Sequence, residues 1–308
     1  MSKSWIPVLL LVASVLAAQP RENIRLEISI VQSIGGPGDG NGQFQYPNGL
    51  DVAPTGILYV ADTGNNRIQS FDANGSFLTQ IGGFGWNSEQ FQQPMDICCR
   101  NALDVYVADK ENNRIERYDK DLHWITSLYS DPSADENLQF ALPISLGMNM
   151  HGELYVLDRE YNRAIKFNSS FEPILRFADF DWGDGALKTP GHIHVSEDDL
   201  VYISDMEKGC VNLYDGYGNY LHNIGLGVLS APTGVCNGPS GLVLVVDNDL
   251  DQMLIFEKSG RFVQAMGSNG DKYGAFNNPG DIACFNNQVY IADTGNHRIQ
   301  VFKIRVLQ

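Results

Sequence analysis

The feature that most constrains this chain is an internal repeat with a period near 46 residues. A segment that begins at Pro47, PNGLDVAPTGILYVADTGNNRIQSFD, returns at Pro279 as PGDIACFNNQVYIADTGNHRIQVFK. Four degenerate copies lie between them. Every copy begins at a proline and carries an aspartate at the end of a YVAD-like run. The prolines are Pro47, Pro94, Pro143, Pro190, Pro232 and Pro279, and the aspartates are Asp62, Asp109, Asp158, Asp205, Asp247 and Asp293. A repeat of this length is typical of solenoids and propellers.

Each copy has the pattern of β-strands. In the first copy, alternating or apolar runs such as Ile57–Ala61, Ile68–Phe71 and Phe77–Ile81 are separated by Gly, Asn and Asp turns. Gly, Pro and Asn interrupt every window that is long enough for a helix. Four short strands in about 46 residues correspond to one propeller blade. The sequence therefore predicts an all-β, six-bladed β-propeller made of four-stranded antiparallel blades.

The two chain ends predict how the ring closes. The last copy stops after its third strand, Ile299–Phe302, and so lacks a fourth strand. The segment Leu26–Gly36 matches Ser76–Gly83, the fourth strand of the first copy, in its alternation and its final glycines. The N-terminal strand is therefore predicted to complete the last blade, within a single propeller domain of residues 24–308.

The repeated segment at Pro47 and its copy at Pro279 resemble the NHL repeat, and the resemblance covers about residues 24–305. It implies an exported, stand-alone NHL repeat protein in which the recurring Asp and Arg are structural. The carboxylate is expected to accept turn N–H groups and the guanidinium to pair with carboxylate or carbonyl groups. The predicted arginine partners are Arg67, Arg114, Arg163 and Arg298, whereas the fourth and fifth copies have Cys210 and Gln252.

The resemblance also bears on catalysis. One enzymatic relative, the peptidyl-hydroxyglycine amidating lyase, is a zinc propeller with His directly after the repeat Pro in several blades. The corresponding residues here are Asn48, Met95, Ile144, Gly191, Thr233 and Gly280. None of them is His, so the zinc site of that lyase is not carried over, and the chain is expected to act by binding.

Residues 1–18 predict a cleavable export signal. Lys3 precedes an apolar run, Ile6–Leu16, which is followed by Ala17 and Ala18. The mature protein is expected to be periplasmic or extracellular, with no membrane span. The net charge of −16 argues against a nucleic-acid partner, because such binding depends on clustered Lys and Arg.

The five cysteines are few and irregularly spaced. Several lie in strand-like apolar runs, where Cys behaves as a small hydrophobe. The sequence predicts buried thiols and no disulfide framework. The set is Cys98, Cys99, Cys210, Cys236 and Cys284.

Two places are candidate sites. In a propeller, the blade linkers and the loops between second and third strands share one face, and here the linkers place Trp86 and Trp182 on it. The predicted function is a binding or scaffold module for a protein, peptide or glycan on this face. The second place is the channel mouth, formed by the residues that follow each repeat proline. Its candidate residues are Asn48, Met95, Asp96, Ser145, His192, Thr233 and Asp281.

The alternative prediction is an enzyme at that mouth. Asp96, His192 and Asp281 are an imidazole and two carboxylates, which together suit a divalent cation. Asp96 and Asp281 would hold the ion, with His192 as a ligand or base, in a metal-dependent lyase or hydrolase. The sequence otherwise predicts no cofactor.

Overall fold

The computed structural model describes residues 24–307 apart from residues 131, 132, 134 and 182. The described residues form six four-stranded antiparallel sheets, so the predicted six-bladed β-propeller is confirmed. The predicted export signal at residues 1–18 and Trp182 both lie outside the described residues. Within the part that is described, no helix is long and apolar enough to cross a membrane.

The strands are numbered along the chain, and β1 is Arg25–Gly35. Blade one contains β2 (Leu50–Val52), β3 (Leu58–Asp62), β4 (Arg67–Phe71) and β5 (Phe77–Gly82). Blade two contains β6 (Pro94–Cys98), β7 (Asp104–Asp109), β8 (Arg114–Asp119) and β9 (Trp124–Tyr129). Blade three contains β10 (Pro143–Met148), β11 (Leu154–Asp158), β12 (Arg163–Phe167) and β13 (Pro173–Phe177).

The remaining blades follow the same order from the channel outwards. Blade four contains β14 (Pro190–Val195), β15 (Val201–Asp205), β16 (Cys210–Tyr214) and β17 (Tyr220–Ile224). Blade five contains β18 (Pro232–Asn237), β19 (Val243–Asp247), β20 (Gln252–Phe256) and β21 (Phe262–Met266). Blade six contains β22 (Asp281–Phe285), β23 (Gln288–Asp293) and β24 (Arg298–Leu307).

The N-terminal strand β1 completes blade six, as predicted. The sheet order is β1-β24-β23-β22, and β1 pairs antiparallel with β24 from Arg25 opposite Leu307 to Gly35 opposite Arg298. A bulge between Ile30 and Gln32 interrupts the register. Because the two chain ends share one blade, the outermost strand of that blade is held by the opposite end of the chain.

The loop between the second and third strand of each blade has a fixed backbone shape. In blade one it is a short 3-10 turn, Thr63–Asn65, followed by Asn66 in the left-handed region at φ 52°. The side chain of Asn tolerates this conformation better than most, which accounts for the N-N pair of the repeat. The other blades also have a left-handed residue at this position: Asn113, Asn162, Gly209, Asp251 and His297.

Further 3-10 turns lie at this position in blades two and six, in two blade linkers and between β18 and β19. They are Lys110–Asn112, Thr294–Asn296, Glu136–Leu138, Gly183–Gly185 and Pro239–Gly241.

The core is divided into layers between neighbouring blades. Each layer joins apolar side chains of two adjacent sheets, such as Val60 of blade one with Ala292 and Val301 of blade six. The linker residues Phe44, Phe91 and Phe276 are fully buried and extend these layers. The ring is therefore stabilised at every junction between blades, and no blade has a complete core alone.

Two of the five cysteines differ from the prediction. Cys236 in β18 and Cys284 in β22 form a disulfide between the innermost strands of blades five and six. The expectation of free thiols is therefore wrong for this pair. Both lie at nearly the same distance from their repeat proline, which places them side by side across a blade junction. Cys98, Cys99 and Cys210 are buried and free.

Candidate functional site

The repeated Asp and Arg anchor the linker face in blades one, two and six. In blade two, Asp109 accepts the backbone N–H of Gln92 at 2.8 Å and the Nε of Arg114 at 2.8 Å. The terminal nitrogens of Arg114 then donate to the carbonyls of Trp86, Asn87 and Gln90. The same arrangement joins Asp62 to Arg67 and Asp293 to Arg298, each at 2.7 Å.

Blades three to five retain the buried aspartate but pair it differently. In blade three the Arg163 Nε lies 3.7 Å from Asp158 Oδ2, and the guanidinium stacks on Tyr161. In blade four, Asp205 accepts the backbone N–H groups of Lys188 and Thr189. In blade five, Asp247 does the same with Ser230 and Ala231. In blades four and five the aspartate thus orders the incoming linker without an arginine, whereas in blade three Arg163 still donates to the linker carbonyls of Glu136 and Gln139.

The linker face carries an aromatic pair that blades one and six lack. Phe84 and Trp86 are 64% and 68% exposed, and their ring centroids lie 6.4 Å apart. Pro37 and Asn269 make the same backbone bridge as Phe84 in their own linkers. Asp39 and Asp271 correspond to Trp86, because their backbone carbonyls accept from the arginine of blade one and of blade six. The aromatic pair is therefore not part of the common linker fold, although the linker to blade four has the same two residue types at these positions, Phe180 and Trp182.

Two tyrosines on this face, Tyr46 and Tyr273, contact neighbouring side chains. Tyr46 stacks on His297 with ring centroids 4.5 Å apart, and the guanidinium of Arg298 lies 5.7 Å from the ring centroid of Tyr273. Phe180 in the linker to blade four is highly exposed. Trp182, which the sequence places beside it, lies outside the described residues.

The residues two positions after the repeat prolines form a ring around the channel. Blade order places Gly49, Asp96, Ser145, His192, Gly234 and Asp281 at this level. The glycines make room for the aspartates of the next blade. A Cβ on Gly49 would lie 2.4 Å from the Cα of Asp96, and a Cβ on Gly234 would lie 2.6 Å from the Cα of Asp281.

Three members of the ring come together. The Nε2 of His192 lies 3.2 Å from Asp281 Oδ1 and 3.6 Å from Asp96 Oδ2. One nitrogen or oxygen atom from each residue lies within 4.8 Å of the other two. The two aspartate side chains are 2% exposed and that of His192 is 14% exposed. These three residues were predicted from the sequence to converge, and in the structure they lie together.

Backbone N–H groups fix both carboxylates. Asp96 accepts from Ile97 and from Leu146 of the next blade, and Asp281 accepts from Ile282 and from Leu50 of the next blade. Burial in the channel wall is the main cause that raises the pKa of both carboxyl groups, and the charge of Asp96 raises that of Asp281 further.

The other predicted mouth residues line or seal the channel. Ser145 is fully buried and donates its hydroxyl to Asp96 at 2.6 Å. Thr233 donates to the carbonyl of Pro279 at 2.8 Å. The side chains of Asn48 and Met95 lie against each other, with 3.9 Å between Nδ2 and Sδ. Ser145, Asp96 and Asp281 are too buried to contact a macromolecule.

A cavity of about 750 Å³ occupies the end of the channel that lies opposite the linker face. Its walls are the ends of the innermost strands and the loops that follow them, including Arg100, Val195 and Asn237. His192 also lines the cavity, so the imidazole is the member of the three-residue cluster that the cavity reaches. From the sequence, ligand contacts were expected on the linker face and at the channel mouth, and this cavity was not predicted.

Two polar residues near the ring, Asp51 and His194, were not among the predicted candidate residues. Each lies two residues beyond the ring on an innermost strand, so alternation places it on the same side of that strand. Asp51 accepts the N–H groups of Val52 and of Cys99 in the next blade. Burial lowers the pKa of His194 to about 3. Counting in steps of two from each ring position would have identified both residues.

This architecture defines a class: a closed six-bladed β-propeller with a polar cluster in its channel and an aromatic patch on its linker face. The sequence profile of the NHL repeat matches residues 44–71 and 276–302. The chain therefore carries NHL repeats at these two positions, as the sequence resemblance implied. Protein brain tumor of Drosophila melanogaster is 25% identical over 131 residues, which are 42% of this chain and only 13% of that protein.

Solved structures share the fold over most of the chain. A streptogramin B lyase superposes with a TM-score of 0.62 at 12% identity and covers 92% of this chain and 98% of its own. Virginiamycin B lyase from Staphylococcus aureus gives 0.59 at 13% identity, covering 91% and 99%. A Bacteroides thetaiotaomicron protein of unknown function gives 0.68 at 16% identity, covering 92% and 76%. At these identities the likeness is one of fold alone.

Proposed function

We propose that this NHL propeller is an exported binding or scaffold module that recruits a protein, peptide or glycan on its linker face. The observation that carries the proposal is the aromatic pair of blade two. Phe84 and Trp86 are exposed at positions where blades one and six have Pro37, Asp39 and other non-aromatic residues. Large exposed aromatic side chains are typical anchors of protein interfaces.

The backbone beneath the pair is held in place. The carbonyl of Trp86 accepts from Arg114 at 2.8 Å, and Phe91 of the same linker is fully buried. The main chain is thus ordered before a partner arrives, and only the side-chain torsions of two rings remain to be fixed. Such a surface binds with a small loss of conformational entropy.

The class of partner follows from the rings and the charge. Aromatic faces provide contact area for apolar side chains and for sugar rings alike, so the proposal includes protein, peptide and glycan partners. NHL propellers generally bind proteins, which favours a protein or peptide. The net charge of −16 disfavours nucleic acid.

Export is also part of the proposal. It is supported by the order of charged, apolar and small residues in residues 1–18. The Cys236–Cys284 disulfide agrees with an oxidising compartment, where such bonds persist. Detection of the tagged protein in the medium or periplasm, without residues 1–18, would support this part, and retention of the intact N-terminus inside the cell would contradict it.

The test of the binding surface exchanges blade-two residues for those of blade one. The variant Phe84→Pro with Trp86→Asp places residues in this linker that the fold already accepts in blade one. Immobilised protein is exposed to peptide and glycan arrays and to the extracellular or periplasmic proteins of its source. The expected result is at least a tenfold loss of affinity for the ligand that the unmodified protein retains.

Tyr217→Ala is the matched control, because Tyr217 is an equally exposed aromatic in a turn between β16 and β17 and lies away from the linker face. This variant should bind as the unmodified protein does. Equal affinity of all three proteins for the retained ligand would contradict the proposed surface. Unchanged melting temperatures would show that neither variant acts through unfolding.

A metal-dependent lyase or hydrolase is the second candidate. One observation favours it, namely that Asp96, His192 and Asp281 are grouped beside a cavity. Its test is hydrolysis or elimination with ester and lactone substrates, with and without added metal. Activity that His192→Gln abolishes at unchanged stability would favour the enzyme. Absence of turnover by the metal-loaded protein would exclude this candidate function.

A further inference from the structure

The geometry of the channel points to a bound divalent cation. We propose that Asp96, His192 and Asp281 form a site for one Zn²⁺ or Mn²⁺ ion on the propeller axis. This site is separate from the aromatic pair of the linker face. It does not depend on catalysis, although the second candidate function depends on it.

The donor spacing fits such an ion. Zn²⁺ binds carboxylate oxygen and imidazole nitrogen at about 2.0–2.2 Å, which requires donors separated by about 3–4 Å. The Nε2 of His192 lies 3.2 Å from Asp281 Oδ1 and 3.6 Å from Asp96 Oδ2. Small side-chain rotations would therefore bring all three donors to one ion without a change of the backbone.

Charge supplies an independent argument. With a neutral imidazole, the cluster contains two carboxylates whose side chains are 2% exposed. Charges taken out of water are costly unless they are paired or coordinate a metal. One divalent cation would neutralise both carboxylates, whereas an imidazolium would neutralise only one.

The channel wall is built to hold these donors. Glycine occupies ring positions 49 and 234, where a Cβ would come within 2.7 Å of Oδ1 of Asp96 and of Asp281. Each carboxylate is also oriented by two backbone N–H groups, one of them from the next blade. Partners that orient metal ligands in this way strengthen metal binding.

The cavity gives the ion access and further ligands. The imidazole of His192 is 14% exposed and lines the cavity, and its buried Nδ1 has no hydrogen-bond partner among the described residues. Water from this side can complete the coordination. Two carboxylates and one imidazole suit Zn²⁺ or Mn²⁺, whereas Ca²⁺ takes six to eight oxygen ligands and Cu⁺ prefers thiolates.

The experiment uses the full chain after treatment with a chelator. Zn²⁺, Mn²⁺ and Ca²⁺ are added separately, and the bound ion is measured by calorimetry and elemental analysis. The expected result is one Zn²⁺ or Mn²⁺ per chain, with affinity reduced at least 100-fold in Asp281→Asn and in His192→Gln. Co²⁺ loading provides a second readout, because its visible absorption should change in His192→Gln.

Asp51→Asn is the matched control. Asp51 is a partly buried carboxylate with the same two kinds of backbone contact, to Val52 and to Cys99 of the next blade, but it lies outside the cluster. This variant should bind the ion within threefold of the unmodified protein. If one of the ligand variants fails to fold, the other still decides the result.

Two outcomes would overturn the site. The first is that the folded, unmodified protein binds neither Zn²⁺ nor Mn²⁺ at one ion per chain. The second is that both Asp281→Asn and His192→Gln retain the ion. Stoichiometric Zn²⁺ or Mn²⁺ without turnover of any ester or lactone would leave the cation site standing and exclude the second candidate function. Binding that only Ca²⁺ achieves would contradict the assigned donor set.

Discussion

Blades one, two and six differ from blades three, four and five in how the same buried aspartate is satisfied. In the first group an arginine Nε lies 2.7–2.8 Å from the carboxylate and its terminal nitrogens bind linker carbonyls. In blades four and five no arginine occupies this position, and the carboxylate accepts backbone N–H groups, Asp205 from Lys188 and Asp247 from Ser230. Blade three is intermediate, with its arginine 3.7 Å away.

This difference shows that the fold requires the buried aspartate, whereas the arginine is a feature of the repeat motif that some blades lack. The aspartate is buried in all six blades because its carboxylate orders the backbone of the incoming linker. The arginine donates hydrogen bonds to backbone carbonyls of the linker, as Arg114 does in blade two. In the linker to blade five, Gly225 and Pro232 are closer in sequence than the corresponding Gly35 and Pro47, and the arginine is replaced by Gln252. In blade five the shorter linker and the loss of the arginine occur together, whereas blade four has Cys210 in place of the arginine although Ala178 and Pro190 are as far apart in sequence as Gly35 and Pro47.

The largest predicted effect concerns blade six, which has the complete Asp–Arg pair but borrows its outer strand. Deletion of residues 24–36 removes β1 and exposes the apolar side chains that β1 covers on β24. The melting temperature should fall sharply, for a loss on the order of 5 kcal/mol of unfolding free energy. A chain that begins at Ile24 is the control. Equal melting temperatures of the two chains would show that the ion pair, and not the borrowed strand, holds blade six.

A smaller effect is expected from the arginine itself. Arg114→Ala leaves Asp109 and Glu116 buried without their shared cation, whose Nε lies 2.8 Å from each. The expected loss is about 3–5 kcal/mol by chemical denaturation, because an unpaired buried charge is costly. Gln252→Ala at the same repeat position in blade five should cost about 1 kcal/mol or less. Similar losses at both positions would remove the distinction between the two groups of blades.

The smallest effect concerns pH and blade three. Burial raises the pKa of Asp158 to about 6, above its ordinary value of 3.8. Between these values the folded state binds the proton more tightly than the unfolded state, so stability falls as the pH rises from about 4 to about 6. The expected fall is roughly 2–3 kcal/mol, and Asp158→Asn should remove it.

The matched change in blade one is Asp62→Asn, which loses a 2.7 Å contact with Arg67. This variant should be less stable than the unmodified protein at pH 7, whereas Asp158→Asn should be equal or more stable there. Melting temperatures from pH 4 to pH 8 compare the two. If both variants are destabilised equally at pH 7, the arginine of blade three contributes as much as that of blade one.

Much of the fold could be predicted because the repeat is locally encoded. Turn residues such as Asn66 and the alternation of strands such as β3 are visible in the sequence, and six copies predict six blades. The grouping of Asp96, His192 and Asp281 was also within reach, since equivalent positions of a ring meet at its axis. The cavity and Asp51 were missed because the residues two positions beyond the ring were not compared between the blades.

The disulfide was missed for a different reason. Cys236 and Cys284 are 48 residues apart, and neither spacing nor composition marks them as a pair. They meet only because β18 and β22 are the innermost strands of neighbouring blades. Trp86 was placed on the linker face from the sequence, but only the structure shows that it and Phe84 are exposed while Phe91 of the same linker is buried.

By itself the sequence determined the number of blades, the strands within each blade and the closure by the N-terminal strand, since these depend on local pattern and on counting repeats. Only the tertiary structure decided which equivalent side chains touch. The spacing of three donors around the axis, the exposure of Phe84 and Trp86 and the face on which the cavity opens depend on the packing of six blades against one another. Those contacts join residues far apart in the chain, and no local pattern specifies their distances.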